Sequence, residues 1–335
     1  MVKKNLDYVN KSIMQKKIKN ADHKIICIDG GGTKTKGVLF IGNKISAEYQ
    51  VGTTRLGAVG QGEACTRTLN VMVELCKRAN IKISEIDIFV VGIAGVWLDI
   101  EKSRSINLIK TLAKSEGYSI NDLIVTSDVE IAFEGAFDNE SGIVTIVGTG
   151  SIGLARCKNN NMVRCGGWGI ELDDEGSGAW VGREGLTAVM RAIDGRGDQT
   201  SLIDKLKENI VGFNIENPRS IVKAFNDKVF EYQTITPWVM ECARKKDAIC
   251  NDIMKRAASH LTQLPKTLLK NFDESEYPVK LALMGGIIDN NTLLSEMLIK
   301  ELNKVKNLNI ITPRGNSIDG ARNIGLKVIK EIYNN

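Results

Sequence analysis

Two short glycine turns, each carrying a hydroxyl and each following an apolar run, are the first places in this 335-residue chain where chemistry is legible. Gly30-Gly31-Gly32-Thr33 follows Ile25–Ile28 and Asp29, and Gly148-Thr149-Gly150-Ser151 follows Ile143–Val147. Without a Cβ, such backbone can converge its N–H groups on anionic oxygens, so the pair suits a polyphosphate. Either turn alone reads as an ordinary hairpin; two in the same register read as a ligand device. Neither is a P-loop, because G-x-x-x-x-G-K-[ST] is absent, and neither is the dinucleotide fingerprint, because each turn leads into a strand and not a helix. Asp29 is placed to hold a magnesium ion through water, since Mg²⁺ prefers few carboxylates plus phosphate oxygens.

Other candidates lie further along. Asp128 ends the apolar run Leu123–Ser127 and precedes a helical stretch. A carboxylate there can take the proton of an attacking hydroxyl or cap the helix, and position alone leaves the two even. Gly166-Gly167-Trp168-Gly169 leads into Asp173-Asp174-Glu175-Gly176-Ser177. The glycines around Trp168 hold backbone close to a ligand, and Asp174 can accept from sugar hydroxyls. Asp173 and Glu175 are read as favouring the N-terminus of the next helix through its dipole. Met284-Gly285-Gly286 follows an apolar strand and would let a flat adenine lie against backbone, or simply end the strand.

The elements that must position these residues repeat. The pattern predicts strands at 25–28, 36–41 and 45–49, a helix over 63–79, a strand at 86–93, a helix over 101–116, a strand at 123–127 and a helix over 129–137. The order βββαβαβα then restarts with strands at 143–147, 152–158 and 162–165. Helices over 177–193, 200–209, 218–232, 237–245 and 248–270 follow. A strand at 279–283, a helix over 292–302, a strand at 308–311 and a helix over 318–333 close the chain. The duplication predicts two related α/β domains facing each other.

Composition narrows the classes. The net charge of +5 is carried by residues 1–24, where seven lysines face Asp7 and Asp22, so the rest is balanced. With aromatics at 5%, a nucleic-acid partner is not expected. No apolar run approaches the ~18 residues of a membrane span, and no apolar stretch follows the N-terminal lysines as a secretory signal would require. Seven cysteines without a C-x-x-C pair argue against a disulfide framework or a zinc ribbon. Residues 1–23 read as a basic, solvated extension in which Leu6, Val9 and Ile13 fall at helical spacing.

Taken together, Asp29-Gly-Gly-Gly-Thr33, Asp128, Gly148-Thr-Gly-Ser151, Gly166-Gly-Trp-Gly169, Asp174-Glu-Gly-Ser177 and Met284-Gly-Gly286 resemble, in identity and order, the N-acetylglucosamine kinases among the BadF/BadG/BcrA/BcrD-type ATPases of the actin/hexokinase/Hsp70-like superfamily. The resemblance covers roughly residues 24–335. It implies an α/β fold of two ribonuclease-H-like lobes (24–141 and 142–316) with a ligand cleft between them and the final helix, 317–335, packing back on the first. It implies ATP and Mg²⁺, with Asp29 in the first phosphate turn, Gly148–Ser151 in the second, and Gly285 and Gly286 at adenosine. Asp128 matches the family's base for the sugar 6-hydroxyl, and Thr149, Gly167 and Asp174 match positions that touch the amino sugar. A cytoplasmic enzyme with a small-molecule amino-sugar substrate follows, and a homodimer is compatible with it. Relatives carry Asn in the loop after the third strand, where this chain reads Gly52-Thr53-Thr54-Arg55-Leu56-Gly57. Thr54 and Arg55 are therefore sugar-loop candidates, with Arg55 either pointing to solvent or meeting an anion such as the lactyl carboxylate of N-acetylmuramic acid. Two competing classes are a redox-coupling activator ATPase, which would need cluster-binding cysteines where Cys157 and Cys165 read as hairpin packing, and a non-catalytic sugar sensor.

Overall fold

A computed structural model describes residues 23–334, and the expected N-terminal extension lies outside the described residues, save His23. β1 (Lys24–Gly30) is apolar on both faces, and Ile25, Ile26, Cys27 and Ile28 are completely buried. A strand reads this way when both sides of its sheet are covered. It pairs antiparallel with β2 (Lys34–Ile41), which pairs antiparallel with β3 (Lys44–Gly52). On its other side β1 pairs parallel with β4 (Ile88–Ile93), and β4 with β5 (Asp122–Thr126), giving the order β3-β2-β1-β4-β5. The parallel pairs need crossover helices, supplied by α1 (Leu56–Arg78) and α2 (Asp99–Ser115); α3 (Asp128–Phe137) follows β5.

The second half repeats the plan. β6 (Gly142–Val147), β7 (Ser151–Arg156) and β8 (Met162–Gly166) form a meander, β6 pairs parallel with β9 (Val279–Met284), and β9 with β10 (Leu308–Ile311). The order β10-β9-β6-β7-β8 matches the first sheet strand for strand. The long crossover holds α4 (Gly178–Ile193), α5 (Leu202–Asn209), α6 (Arg219–Asn226), α7 (Tyr232–Arg244) and α8 (Ala248–Leu269); α9 (Gly286–Asp289) and α10 (Leu293–Leu302) follow β9. The last helix, α11 (Ser317–Asn334), returns to the first sheet, so residues 23–138 and 314–334 form one unit and Asn139–Pro313 the other.

Strand alternation divides the first unit's interior. Ile26 and Ile28 face a core with Leu69, Met72 and Leu75 of α1 and Ile109 of α2. Ile25 and Cys27 face Ile131 of α3 and Ile318, Ala321 and Ile329 of α11. The helices α3 and α11 cross at Gly135 and Gly320. A Cβ on Gly320 would sit 1.8 Å from the Ile131 carbonyl oxygen, and one on Gly135 2.1 Å from that of Asn316. Backbone meets backbone there, which explains the small residues of α3. Among the described residues no helix is long and apolar enough to cross a membrane.

Three helices differ by several residues from their expected bounds. α1 begins at Leu56, ahead of the expected 63, because a first turn precedes a break at Gly60 (φ 76°, ψ 161°). α7 begins at Tyr232 and carries Pro237 inside it, while α6 stops at Asn226. Glu231 N–H donates to the Thr234 hydroxyl at 3.3 Å, starting the helix upstream of the proline.

Candidate active site

The carboxyl ends of parallel strands are where α/β sheets bind ligands, and in the first unit the candidate residues collect there. Asp29 and Gly30 end β1, Ala94 follows β4, and Asp128 follows β5. Gly30 is already sheet: its carbonyl accepts from Ala94 N–H at 2.8 Å, and the open turn is Gly31–Thr33, closed by Gly31 N–H to the Lys34 carbonyl at 3.1 Å. Burial pushes the Asp29 carboxyl up to about 6, against a Ser317 hydroxyl that donates to it and the charge of Lys34. Ser317 opens α11, almost the whole chain away, and nothing local in sequence announces it.

Thr54 requires a correction. It is completely buried, its hydroxyl lies 3.0 Å from that of Thr35, and its Oγ1 fills the space over Gly30. Its side chain therefore supports the turn and is not presented to a sugar. Thr53, which sequence reasoning passed over, does more: its hydroxyl donates to the Gly31 carbonyl at 2.8 Å and accepts from Arg55 N–H at 3.0 Å.

Asp128 is not the helix cap. Ser127 is: its hydroxyl accepts from Glu130 N–H at 3.1 Å, and the Glu130 carboxylate accepts from Ser127 N–H at 2.9 Å. This Ser-x-x-Glu capping box was legible in the sequence. The other Glu130 oxygen takes Lys102 Nζ at 2.9 Å, and Thr126 donates to the same carboxylate. These bonds hold the Glu130 carboxyl below its ordinary range despite its burial. Asp128, in the first helical position and half-buried, accepts from Val129 N–H at 3.0 Å. Its backbone stands over Gly92, where a Cβ would come 3.1 Å from its Cα.

In the second unit the turn Gly148–Gly150 is closed by Gly148 N–H to the Gly150 carbonyl at 2.9 Å. It is then gripped by α4, whose Gly178 and Ala179 N–H groups donate to the Gly148 and Thr149 carbonyls at 2.9 and 3.0 Å. Ser151 is a second correction: it is buried, and its hydroxyl donates to the Glu175 carbonyl at 3.2 Å, so it fastens the turn from behind. Asp174 is buried with φ 56°, and its Oδ2 lies 2.7 Å from where a Cβ on Gly150 would stand, so its carboxylate lies against the turn. Gly285, with φ 100°, packs on Val147, where a Cβ would fall 2.6 Å from the carbonyl oxygen. Only glycine fits there, and this seats Gly285-Gly286 beside Gly148.

The loop after β8 is closed by Asp173, which accepts from Trp168 N–H at 3.1 Å. Glu175 pairs with His260 at 3.3 Å. Neither lies in the first turn of α4, so the helix-dipole reading of both gives way to these contacts. Gly167 has φ 78°, its carbonyl accepts from Arg164, and the Arg164 guanidinium stacks 4.2 Å from the exposed Trp168 ring. Cys157 and Cys165 belong to one hairpin, as expected. Cys157 is buried and donates to the Asn271 carbonyl at 3.3 Å, and burial pushes both thiols up, away from the thiolate a cluster ligand needs.

Asp29 fits a magnesium ion. It is a single half-buried carboxylate whose raised pKa marks a negative charge under-compensated by its neighbours, and it stands at the first glycine turn. Among the described residues, no group of three or more His, Cys, Asp or Glu could form a metal cage.

The sequence profile of the BadF/BadG/BcrA/BcrD ATPase family matches residues 26–322. The chain belongs to that family. It is 28% identical over 302 residues to an N-acetylmuramic acid/N-acetylglucosamine kinase of Clostridium acetobutylicum, covering 89% of this chain and 96% of that one. It is 29% identical to an N-acetyl-D-glucosamine kinase of Dictyostelium discoideum, covering 83% and 89%. Among solved structures, a Chromobacterium violaceum protein described as an N-acetylglucosamine kinase shares the fold with a TM-score of 0.70 at 22% identity, over 89% of this chain and 97% of that one. The expected α/β fold of two ribonuclease-H-like halves is thus the fold of this family member.

Proposed function

We propose that this family member is an ATP-dependent amino-sugar kinase that phosphorylates the 6-hydroxyl of N-acetylglucosamine. The observation that carries the reading is the shared carboxyl edge of the first sheet. There a phosphate turn with Asp29 and a base candidate, Asp128, stand on β1 and β5 with only β4 between them. The names of the curated relatives support the substrate class.

Phosphoryl transfer asks the protein mainly for positioning and charge compensation. In the first unit, Gly31, Gly32 and Thr33 cradle phosphate oxygens, and Asp29 would hold the magnesium ion, which supplies charge neutralisation when bound. Asp128 accepts the proton of the sugar hydroxyl as its oxygen bonds to the γ-phosphorus and the bond to ADP breaks. In the second unit, Gly148–Gly150 receive phosphate, Gly285 and Gly286 receive adenosine, and Asp174, Thr149 and Gly167 contact the amino sugar.

Coupled ADP release over a panel of hexoses and amino sugars, with phosphorus–proton correlation NMR on the product, tests this. The expected result is turnover highest on N-acetylglucosamine with phosphate on O6. ATP-dependent turnover confined to non-amino hexoses, or no sugar turnover, contradicts it.

A further inference from the structure

Asp174 is a non-glycine residue held at φ 56°, and Gly176, two residues on, has φ 82°. A left-handed backbone at a non-glycine residue persists where its surroundings over-determine it. Here the surroundings include α8. A Cβ on Gly176 would stand 2.5 Å from the Ala257 carbonyl oxygen and 2.7 Å from Leu261 Cγ, so the segment after Asp174 lies directly on that helix. Between Ala257 and Leu261 in sequence, His260 places its Nδ1 3.3 Å from a Glu175 carboxylate oxygen. The segment between Asp174 and α4 is thus seated on α8 twice, once by backbone and once by a side-chain pair.

The imidazole is itself held by its neighbours. The Trp180 ring of α4 meets it edge-on at 5.2 Å, and the guanidinium of Arg256, one turn back on α8, lies 5.3 Å from the Trp180 ring centre. Arg256 is fixed in turn by Glu184 of α4 at 2.8 Å and by Asp252 of α8 at 2.9 Å. On the other side of the pair is the candidate site. The Glu175 carbonyl accepts from the Ser151 hydroxyl behind the second glycine turn, and the Asp174 carboxylate lies against Gly150. The turn keeps three further fastenings: Gly148 N–H to the Gly150 carbonyl, and Gly178 and Ala179 N–H of α4 to the Gly148 and Thr149 carbonyls. Loosening Glu175 therefore disturbs its chain neighbour Asp174 more than it disturbs the turn.

We infer that His260 is a positioning residue of the amino-sugar site: by holding Glu175 it keeps the Asp174 carboxylate in place on the second glycine turn. This rests on the kinase reading above, in which Asp174 contacts the amino sugar. The imidazole acts through Glu175 and the backbone that joins it to Asp174. Its loss weakens amino-sugar binding and leaves the transfer step, which Asp128 and the first glycine turn serve, as it was.

The test is steady-state phosphorylation of N-acetylglucosamine by the wild type, His260→Ala, Glu175→Gln, the two combined, His260→Glu, and the charge-swapped pair His260→Glu with Glu175→Lys, together with amide hydrogen exchange on the unliganded proteins. His260→Ala and Glu175→Gln should each raise the sugar KM by about two- to fivefold, the scale of a half-exposed hydrogen-bonded pair, with kcat and the KM for ATP little changed. The double variant should be no worse than either single one, since both remove the same contact. His260→Glu alone should raise the sugar KM further by setting two carboxylates against each other. Adding Glu175→Lys should bring it back toward wild type, which a residue needed only for folding would not do. Exchange at Ser177, whose N–H donates to the Asp174 carbonyl at 3.0 Å, should quicken in His260→Ala while β6 and β9 keep their protection. With N-acetylglucosamine turned over by the wild type, an unchanged sugar KM in both single variants, losses that add in the double variant, or a fall in kcat with the KM unmoved overturns this inference and leaves the kinase reading standing. Faster Ser177 exchange in His260→Ala with no sugar turned over by the wild type overturns the kinase reading and upholds the link between His260 and Asp174. Unchanged exchange overturns that link.

Discussion

Replacing Asp29 by Asn should make the unliganded protein more stable at neutral pH, although Asp29 is a candidate site residue. Its carboxyl is raised from the usual 3.8 to about 6, chiefly by burial. A group raised in the folded state binds its proton more tightly there, so its contribution to stability is fully present below pH 4 and is lost as pH rises to about 6. At about 1.4 kcal/mol for each pH unit of that rise, the upper bound is about 3 kcal/mol, reduced by whatever water reaches the half-buried carboxylate. Above pH 6 the wild type carries that cost, and Asn, which can still accept from Ser317, does not. The assay is urea unfolding of both proteins from pH 4.5 to 8 without nucleotide. The gap should open in favour of Asp29→Asn as pH rises and level off above pH 6.5, at about 1–3 kcal/mol. Added Mg²⁺ and ATP should close it, because a cation at Asp29 offsets the charge that Asn lacks. A pH-independent gap, or a variant less stable than wild type at pH 8, refutes the reasoning.

Three further outcomes follow from contacts elsewhere. Gly320→Ala should lower the stability of the first unit by about 3 kcal/mol or more, measured by urea unfolding, because its Cβ would stand 1.8 Å from the Ile131 carbonyl oxygen and both neighbours are backbone. Glu130→Ala should cost about 1–3 kcal/mol in the same measurement, by opening the capping box and stranding Lys102, and should lower kcat more than it raises the sugar KM, since it loosens the turn that aims Asp128. Gly150→Ala should raise the KM for the amino sugar at least tenfold, with Asp174→Asn doing the same, because the Cβ would displace the Asp174 carboxylate.

The duplicated architecture was legible because its punctuation is local. A glycine turn follows an apolar run at both Ile28 and Val147, and each leads straight into an antiparallel partner, so the βββαβαβα order could be read directly from the chain. The backbone turns that carry the candidate residues were legible for the same reason. Side-chain roles set by distant packing were not. Thr54 looks like any loop hydroxyl until Thr35 and Gly30 are brought against it, and Ser151 looks like a ligand group until Glu175 folds behind it. Ser317 reaches Asp29 only because α11 returns to the first sheet. Asp128 was open to two readings by position alone, and only the Ser-x-x-Glu spacing, which the sequence also carried, assigns the cap to Ser127. The early start of α1 was masked by Gly57, Gly60 and Gly62, which weaken helical propensity just where the loop after β3 enters the helix.

The assignment of Asp128 as the proton acceptor is tested most directly by measuring turnover and ligand binding on one variant, Asp128→Asn. Asparagine keeps the size of the side chain and can still accept from Val129 N–H, while the Ser127–Glu130 cap remains intact. Sugar and ATP dissociation constants should stay within a few-fold of wild type, and kcat should fall by about 100-fold or more, the loss expected of a general base. Turnover within a few-fold of wild type would contradict the assignment.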